Sequence, residues 1–282
     1  MAERRAGVVL AGGRSSRMGS PKSALEWYGS TLLRRTVSIV ARAIAGPVVV
    51  VRAPGQELPD LPPDTEIRQD PYEGRGPLQG IAVGLAALAE RADVAFICST
   101  DLPFLHPAFI HAVLGAVGPD VDVALPVARG YPQPLAAAYR TSLAPLVESL
   151  LAADRLRPAF LFEKCRVVRL DDAALRTDPQ VAALDPDLDS VVNVNEPGEY
   201  EVARARPEPA VTVECFGSAA GRRGSGPHAV RAATLARAAA AISLSLDRHV
   251  LAALNGEQIT RDDHLPLTAG DTVAFISSDA GG

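Results

Sequence analysis

An α/β domain with a mostly parallel sheet, followed by a small α+β domain, is the fold class that three features of the sequence predict. Short continuous apolar runs, Val8 to Leu10, Val48 to Val51 and Val94 to Cys98, read as strands buried on both faces. Helical periodicity lies between them, as in Leu32, Leu33, Val37, Val40 and Ile44. Past a charged, proline-bearing stretch the pattern changes to short strands, one short helix and an Asn255–Gly256 hairpin turn. Strands that alternate with helices imply a sheet covered on both faces, with ligands at the carboxyl ends of its strands.

At 282 residues the chain has room for one large domain or two ordinary ones. Hydrophobic residues at 48% and charged residues at 22% are the proportions of a soluble globular protein. A formal net charge of −5 disfavours general nucleic-acid binding, which shows a basic excess. Cys98, Cys165 and Cys215 lie far apart with no Cys-x-x-Cys pair, against both a disulfide framework and a structural zinc site. No stretch fits a signal peptide or a membrane span, so a cytoplasmic protein without a membrane partner is expected.

Most of the chemical signal lies between Gly7 and Lys22. The first strand ends in Gly12 and Gly13, which let the backbone approach a ligand and aim successive N–H groups at it. Arg14, Arg17 and Lys22 add positive charge around that concavity, which suits a polyphosphate. A Walker loop carries its lysine directly after the second glycine, whereas Lys22 stands three residues beyond Gly19. The glycines do not follow the dinucleotide-binding spacing either. The plainer alternative is a Gly-rich turn with solvated arginines.

Further along, a helix is expected over 31–45, stopped by Gly46–Pro47, and a strand over 65–70 that ends in the carboxylate of Asp70. The glycine-dense loop 74–80 is either a connection or a backbone surface that reads a base edge, and a helix follows it over 81–90. The strand from Val94 delivers Ser99–Thr100–Asp101 to the same sheet edge as the first loop. Asp101 is either a turn residue or the carboxylate that a phosphate-neutralising Mg²⁺ needs, since that ion takes one or two carboxylates plus waters and phosphates. Strands are expected over 121–127 and 133–139, and an amphipathic helix over 141–152. Arg155 and Arg157 follow in a loop, either solvated or facing a ligand.

The run Leu10–Ala11–Gly12–Gly13–Arg14–Ser15–Ser16–Arg17–Met18–Gly19 with Lys22 closely resembles the opening signature of the molybdenum-cofactor guanylyltransferases. The resemblance implies a Rossmann-like nucleotidyltransferase domain over 1–203 that transfers GMP from GTP to molybdopterin. It makes Leu10, Ala11, Gly12, Gly13, Lys22, Asp70, Gly76, Pro77, Leu78, Gly80 and Asp101 nucleotide-binding residues. Asp101 becomes the Mg²⁺ ligand, with Lys22 and Arg17 as its catalytic companions. Gln133 and Pro134, and Asn193 and Asn195 of an N-x-N-x-P closing motif, are placed at the molybdopterin side. Arg52 stands where the family can place a polar contact, and Gly198–Glu199–Tyr200 departs from the family's usual acidic pair. Transfer of CMP, or of another nucleotide to a phosphorylated acceptor, is the alternative within the same chemistry.

Residues 204–210 read as a linker, and 211–282 as a separate unit. Strands are expected over 211–216, 250–254, 257–259 and 272–276, with a helix over 235–242. Leu254–Asn255–Gly256–Glu257, the stretch from Pro266 to Val273 and the final Gly281–Gly282 resemble the ubiquitin-like sulfur carriers, closest to the small subunit of molybdopterin synthase. That resemblance implies a β-grasp fold whose terminal carboxylate is adenylated and becomes a thiocarboxylate. The synthase large subunit and an adenylyltransferase would then be its partners. A plain terminal tail is the simpler reading of Gly281–Gly282, and a carrier or docking module with an inactive transferase domain is the alternative for the whole chain.

Overall fold

The computed structural model describes residues 3–12, 22–72, 74–217 and 226–277. The chain forms two compact units, Met1–Glu26 with Thr31–Ala203, and Trp27–Ser30 with Arg204–Gly282.

In chain order the strands of the first part are β1 (Arg5–Leu10), the short pair β2 (Glu26–Trp27) and β3 (Ser30–Thr31), then β4 (Val48–Arg52) and β5 (Thr65–Gln69). They are followed by β6 (Val94–Ser99), β7 (Val123–Ala128), β8 (Tyr131–Pro132), β9 (Ala136–Arg140) and β10 (Val167–Asp171). Helices α1 (Leu32–Ala43), α2 (Pro77–Leu88), α3 (Pro107–Gly115), α4 (Ala144–Ala152), α5 (Pro158–Phe162), α6 (Asp172–Leu175), α7 (Pro179–Leu184) and α8 (Pro197–Arg204) connect them. The sheet order is β10-β7-β9-β6-β1-β4-β5, with β8 paired to β7. Neighbours run parallel except β9, which is antiparallel to both β6 and β7, and β8, which is antiparallel to β7.

Adjacent residues of one strand feed different cores, as the two-residue period of a strand requires. Val9, Val50 and Phe96 pack beneath α1 and α3 with Leu33, Val37 and Phe109. Val8, Val49 and Ile97 pack on the other face with Ile81, Leu85 and Tyr139. The continuous apolar runs are thus explained by burial on both sides.

The Thr31 hydroxyl accepts from Arg34 N at 3.2 Å and caps α1. Pro77 opens α2, where a missing N–H costs nothing. Gly84 lies so close to β1 that a Cβ there would meet Val8 Cγ1 at 2.5 Å. Nearer the start of the helix, a Cβ at Gly80 would meet Leu10 Cδ2 at 3.1 Å, so α2 packs closely along β1 up to its end.

Several elements differ from expectation. The strand expected over 133–139 is shortened to β9, since Pro134 lacks the N–H a ladder needs, and Tyr131–Pro132, expected in the preceding turn, form the short β8. The helix expected from Thr141 begins with a single 3-10 turn, Thr141–Leu143, before α4. Strand β10 was not expected; it is half-exposed at the sheet edge, so its sequence lacks a full apolar run.

The strands of the second part are β11 (Ala210–Gly217), β12 (His228–Arg231), β13 (Val250–Leu254), β14 (Gln258–Thr260) and β15 (Thr272–Ser277), with α9 (Leu235–Ala241). Their order is β12-β11-β15-β13-β14, and the central β11–β15 pair is parallel. Val213, Cys215, Ala252, Val273 and Phe275 face α9 and bury Leu235 and Ala238. Asn255 (φ 53°) and Gly256 (φ 75°) make the turn between β13 and β14 with positive φ at both positions, as Asn-Gly predicts. In the stretch expected as a linker, the Glu208 carboxylate accepts from Ala233 N at 2.8 Å and pairs with Arg237. Among the described residues no helix is long and apolar enough to cross a membrane.

Candidate active site at the carboxyl edge of the sheet

The chain leaves β1 for β4 on one side and later returns to β6 on the other, so the carboxyl end of β1 is a topological switch point. Open α/β sheets bind ligands there. Leu10 and Ser99 are paired at this end. The Leu10 carbonyl accepts from Thr100 N at 3.3 Å and from Thr100 Oγ1 at 3.1 Å, which draws the segment after β6 towards the first loop. Ala11 N and Gly12 N both donate to Val51 O, at 2.8 and 3.3 Å, and tie that loop to β4. Gly13, Arg14 and Arg17 lie outside the described residues, and the chain is described again from Lys22.

Lys22, Asp101 and Asn195 meet at this edge. Lys22 Nζ donates to Asp101 Oδ2 at 2.9 Å and to Asn195 Oδ1 at 2.7 Å. Ser99 Oγ donates to Asp101 Oδ1 at 2.5 Å, and Val194 N donates to the Asp101 carbonyl at 3.0 Å. The side chains of Lys22 and Asp101 are 22% and 15% exposed, so their attraction is screened less than at an open surface. Asn195 is positioned by Glu199, whose Oε2 accepts from Asn195 N at 2.7 Å and Glu196 N at 3.1 Å at the start of α8. The Pro–x–Glu spacing of Pro197 and Glu199 is a readable helix-start signal that accounts for this contact.

Beside this cluster lies a cavity of about 490 Å³, lined among others by Leu10, Gly12, Asp70, Gly76, Pro77 and Gly80. Arg52, Tyr72, Arg75, Ser99 and Leu135 complete its walls. Asp70 Oδ1 accepts from Tyr72 N at 2.9 Å. Burial pushes the Asp70 carboxyl above the usual carboxylate range, against the opposing pull of the Tyr72 N–H and the Arg75 guanidinium. Arg75 is itself held by the Leu151 carbonyl at 2.7 Å and lies over the Tyr72 ring at 5.4 Å. Ser99, Tyr72 and Arg75 carried no motif of their own; they are brought in by register and loop closure.

The remaining predicted residues do not gather at one place. Ala11 meets the site through its backbone alone, and Leu78 is fully buried under the cavity wall in the α2 core. Gln133 Nε2 turns back to the Tyr131 carbonyl at 3.2 Å, while the Pro134 carbonyl accepts from Tyr139 Oη at 2.7 Å. Asn193 is exposed, and the Arg155 guanidinium stacks over Phe160 at 4.7 Å. Gly281 and Gly282 lie outside the described residues.

The family model of the MobA-like NTP transferase domain matches residues 7–167, which hold Lys22, Asp70, the α2 start and Asp101. A Mycobacterium bovis protein named "Probable molybdenum cofactor guanylyltransferase" is 40% identical over 169 residues, covering 58% of this chain and 82% of that protein. A Bacillus cereus protein of the same name is 30% identical over 203 residues, covering 71% of this chain and 95% of its own. The crystal structure of molybdopterin-guanine dinucleotide biosynthesis protein A from Archaeoglobus fulgidus shares the fold with a TM-score of 0.56. It is 22% identical and covers 71% of this chain and 96% of its own. A nucleotide-sized cavity and a lysine–aspartate pair at a sheet switch point, within a match this long, place the chain in the MobA-like NTP transferase domain family.

Proposed function

We propose that the first part of the chain transfers GMP from GTP to the phosphate of molybdopterin, releasing pyrophosphate. The observation that carries this reading is the convergence of Lys22, Asp101 and Asn195 beside the cavity that Asp70 lines. The names of the relatives support guanine and molybdopterin as the substrates. In the cavity, the Asp70 carboxylate is an acceptor suited to guanine's N1–H and N2–H donors, and Gly12, Gly76 and Gly80 keep the wall thin enough for a planar base.

With the base so held, the triphosphate extends towards Gly12 and Lys22, and the resemblance adds Gly13 and Arg17 to the phosphate ligands. An acceptor phosphate oxygen forms a bond to the α-phosphorus as the bond to the bridging oxygen of pyrophosphate breaks. Lys22 stabilises the charge that develops on the leaving oxygens, and no protein nucleophile is needed. Asp101 fits a divalent cation: its carboxylate already accepts from the Lys22 ammonium, and a single carboxylate completed by waters and phosphates is how Mg²⁺ is commonly held. Mg²⁺ bound there supplies neutralisation of phosphate charge. Asn195 Oδ1 accepts from the same ammonium and helps to hold it.

The test is pyrophosphate release from GTP, CTP and ATP with Mg²⁺ and molybdopterin. A GTP-selective signal abolished by Asp101→Ala is the expected result. A CTP-selective signal would reassign the nucleotide, and silence with all three on folded protein would reject the reading.

For the second part, 211–282 after a linker at 204–210, the reading is a ubiquitin-like β-grasp sulfur carrier acting through Gly282. Its support is a mixed sheet with a central parallel pair and one helix on one face, together with the resemblance of residues 254–257 and 266–273 to those carriers. The partners are the large subunit of molybdopterin synthase and an adenylyltransferase. Deleting Gly281–Gly282 abolishes sulfur transfer in a reconstituted synthase on this reading, and unchanged transfer rejects it.

A further inference from the structure

We propose that Gln56 is a positioning residue for phosphate binding, which sets Lys22 by joining the end of β1 to the turn that carries the lysine. This rests on the reading of Lys22 as a phosphate ligand. Gln56 stands in the loop after β4, half-buried, with both polar ends of its side chain in use. Oε1 accepts from Ala53 N at 3.0 Å, which folds the side chain back over its own loop. Nε2 donates to the Ala11 carbonyl at 3.0 Å and to Ser23 Oγ at 3.3 Å.

Those two acceptors are the point of the arrangement. Ala11 is the first residue after β1, and Ser23 directly follows Lys22. A single amide thus fixes the separation of the two ends of the Gly12–Lys22 stretch. The loop that carries Gln56 is braced as well: its N–H donates to Ala53 O at 3.2 Å, and its carbonyl accepts from Arg52 Nη1 at 3.1 Å. Ser23 is only 1% exposed, so water cannot take the place of a lost partner. Lysine carries its charge on a flexible stem, so the reach of its ammonium depends on where its backbone is anchored. Small misplacements of a charge-stabilising group are costly.

Gln56 makes no hydrogen bond to Asp70, Gly76 or Gly80, and its contacts at the cavity wall, to Ala53 and through its own carbonyl to Arg52, are shared by both nucleotides. What distinguishes GTP from GMP is the phosphates that Lys22 meets on this reading. Calorimetric titration of GTP and GMP with Mg²⁺ separates the two. Gln56→Met keeps the length of the side chain and removes its hydrogen bonds; we expect the GTP Kd to rise about tenfold and the GMP Kd to stay within about twofold. Equal weakening of both nucleotides would make Gln56 part of the scaffold only, and unchanged GTP affinity would leave it no role; either overturns the proposal. If that variant loses cooperative unfolding, Ser23→Ala carries the same comparison, with a selective GTP loss of about threefold expected and an equal loss, or none, overturning it. Wild-type protein that binds neither nucleotide removes the phosphate reading of Lys22 and this proposal with it. Tight GTP binding without transfer to molybdopterin rejects only the acceptor, and the GTP-to-GMP comparison then decides the role of Gln56 unchanged.

Discussion

Lys22 Nζ lies 2.9 Å from Asp101 Oδ2 although 79 residues separate the two in the chain. On the proposed reading, both groups serve the same phosphates. Asp101→Asn and Lys22→Met should each lower kcat by about 10²–10³, the cost of one charge-stabilising group. The double variant should be little worse than either single one, because groups that act as a unit are not additive. Steady-state kinetics of the four proteins checks this, and full additivity would separate the two roles.

Asp70 should act on binding more than on chemistry. Asp70→Asn should raise the GTP KM by about 10–100-fold, the worth of a charge-assisted hydrogen bond, with kcat largely kept. Since burial raises its carboxyl above the usual range, acidification should protonate Asp70 earlier than an ordinary aspartate and weaken GTP binding there. The pH profile of GTP affinity should lose that acidic step in the Asn variant.

Gly84→Ala probes how α2 is seated. Its new methyl would meet Val8 Cγ1 at 2.5 Å and Cγ2 at 2.9 Å, both on a stiff β-branched side chain. Overpacking of this kind costs about 1–3 kcal/mol. Thermal unfolding should shift down by several degrees, and the GTP KM should rise because Pro77 and Gly80 lie on the same helix and Gly76 directly precedes it.

Asp185 gives the fold a pH dependence of its own. It is buried, its Oδ1 accepts from Asp189 N at 2.7 Å, and burial pushes its carboxyl up to about 6. Between about pH 4 and 6 the folded chain therefore holds a proton that the unfolded chain has released, so this group's contribution to stability falls as pH rises through that window. Asp185→Asn, which cannot ionise, should gain stability relative to the parent on going from pH 4 to pH 7, by up to about 3 kcal/mol. Denaturant unfolding at the two pH values measures the difference, and a pH-independent difference would count against it.

Much of this was legible in the order of residues. The runs Val8–Leu10, Val48–Val51 and Val94–Cys98 declare strands because burial on both faces leaves no polar position in them. Leu10, Gly12, Asp70, Gly76, Pro77 and Gly80 were grouped by the resemblance of their motifs to a known family, and the fold brings them to the wall of one cavity. Asn255–Gly256 announced its turn, since few other pairs accept positive φ twice in succession.

What only the tertiary structure decided are contacts that depend on strand order. That β9 runs against its neighbours, that Asn195 and Asp101 share one ammonium, and that Gln56 reaches both Ala11 and Ser23 all follow from which strand lies beside β1. Sequence by itself determined the fully buried strands, helix α1 and which loops carry glycine and charge, because those are properties of local backbone freedom and apolar period; half-exposed β10 carried no such signal. Side-chain partners across 33 to 173 residues were set by packing. No local pattern encodes them, since the same polar residues would satisfy themselves with water wherever the fold left them exposed.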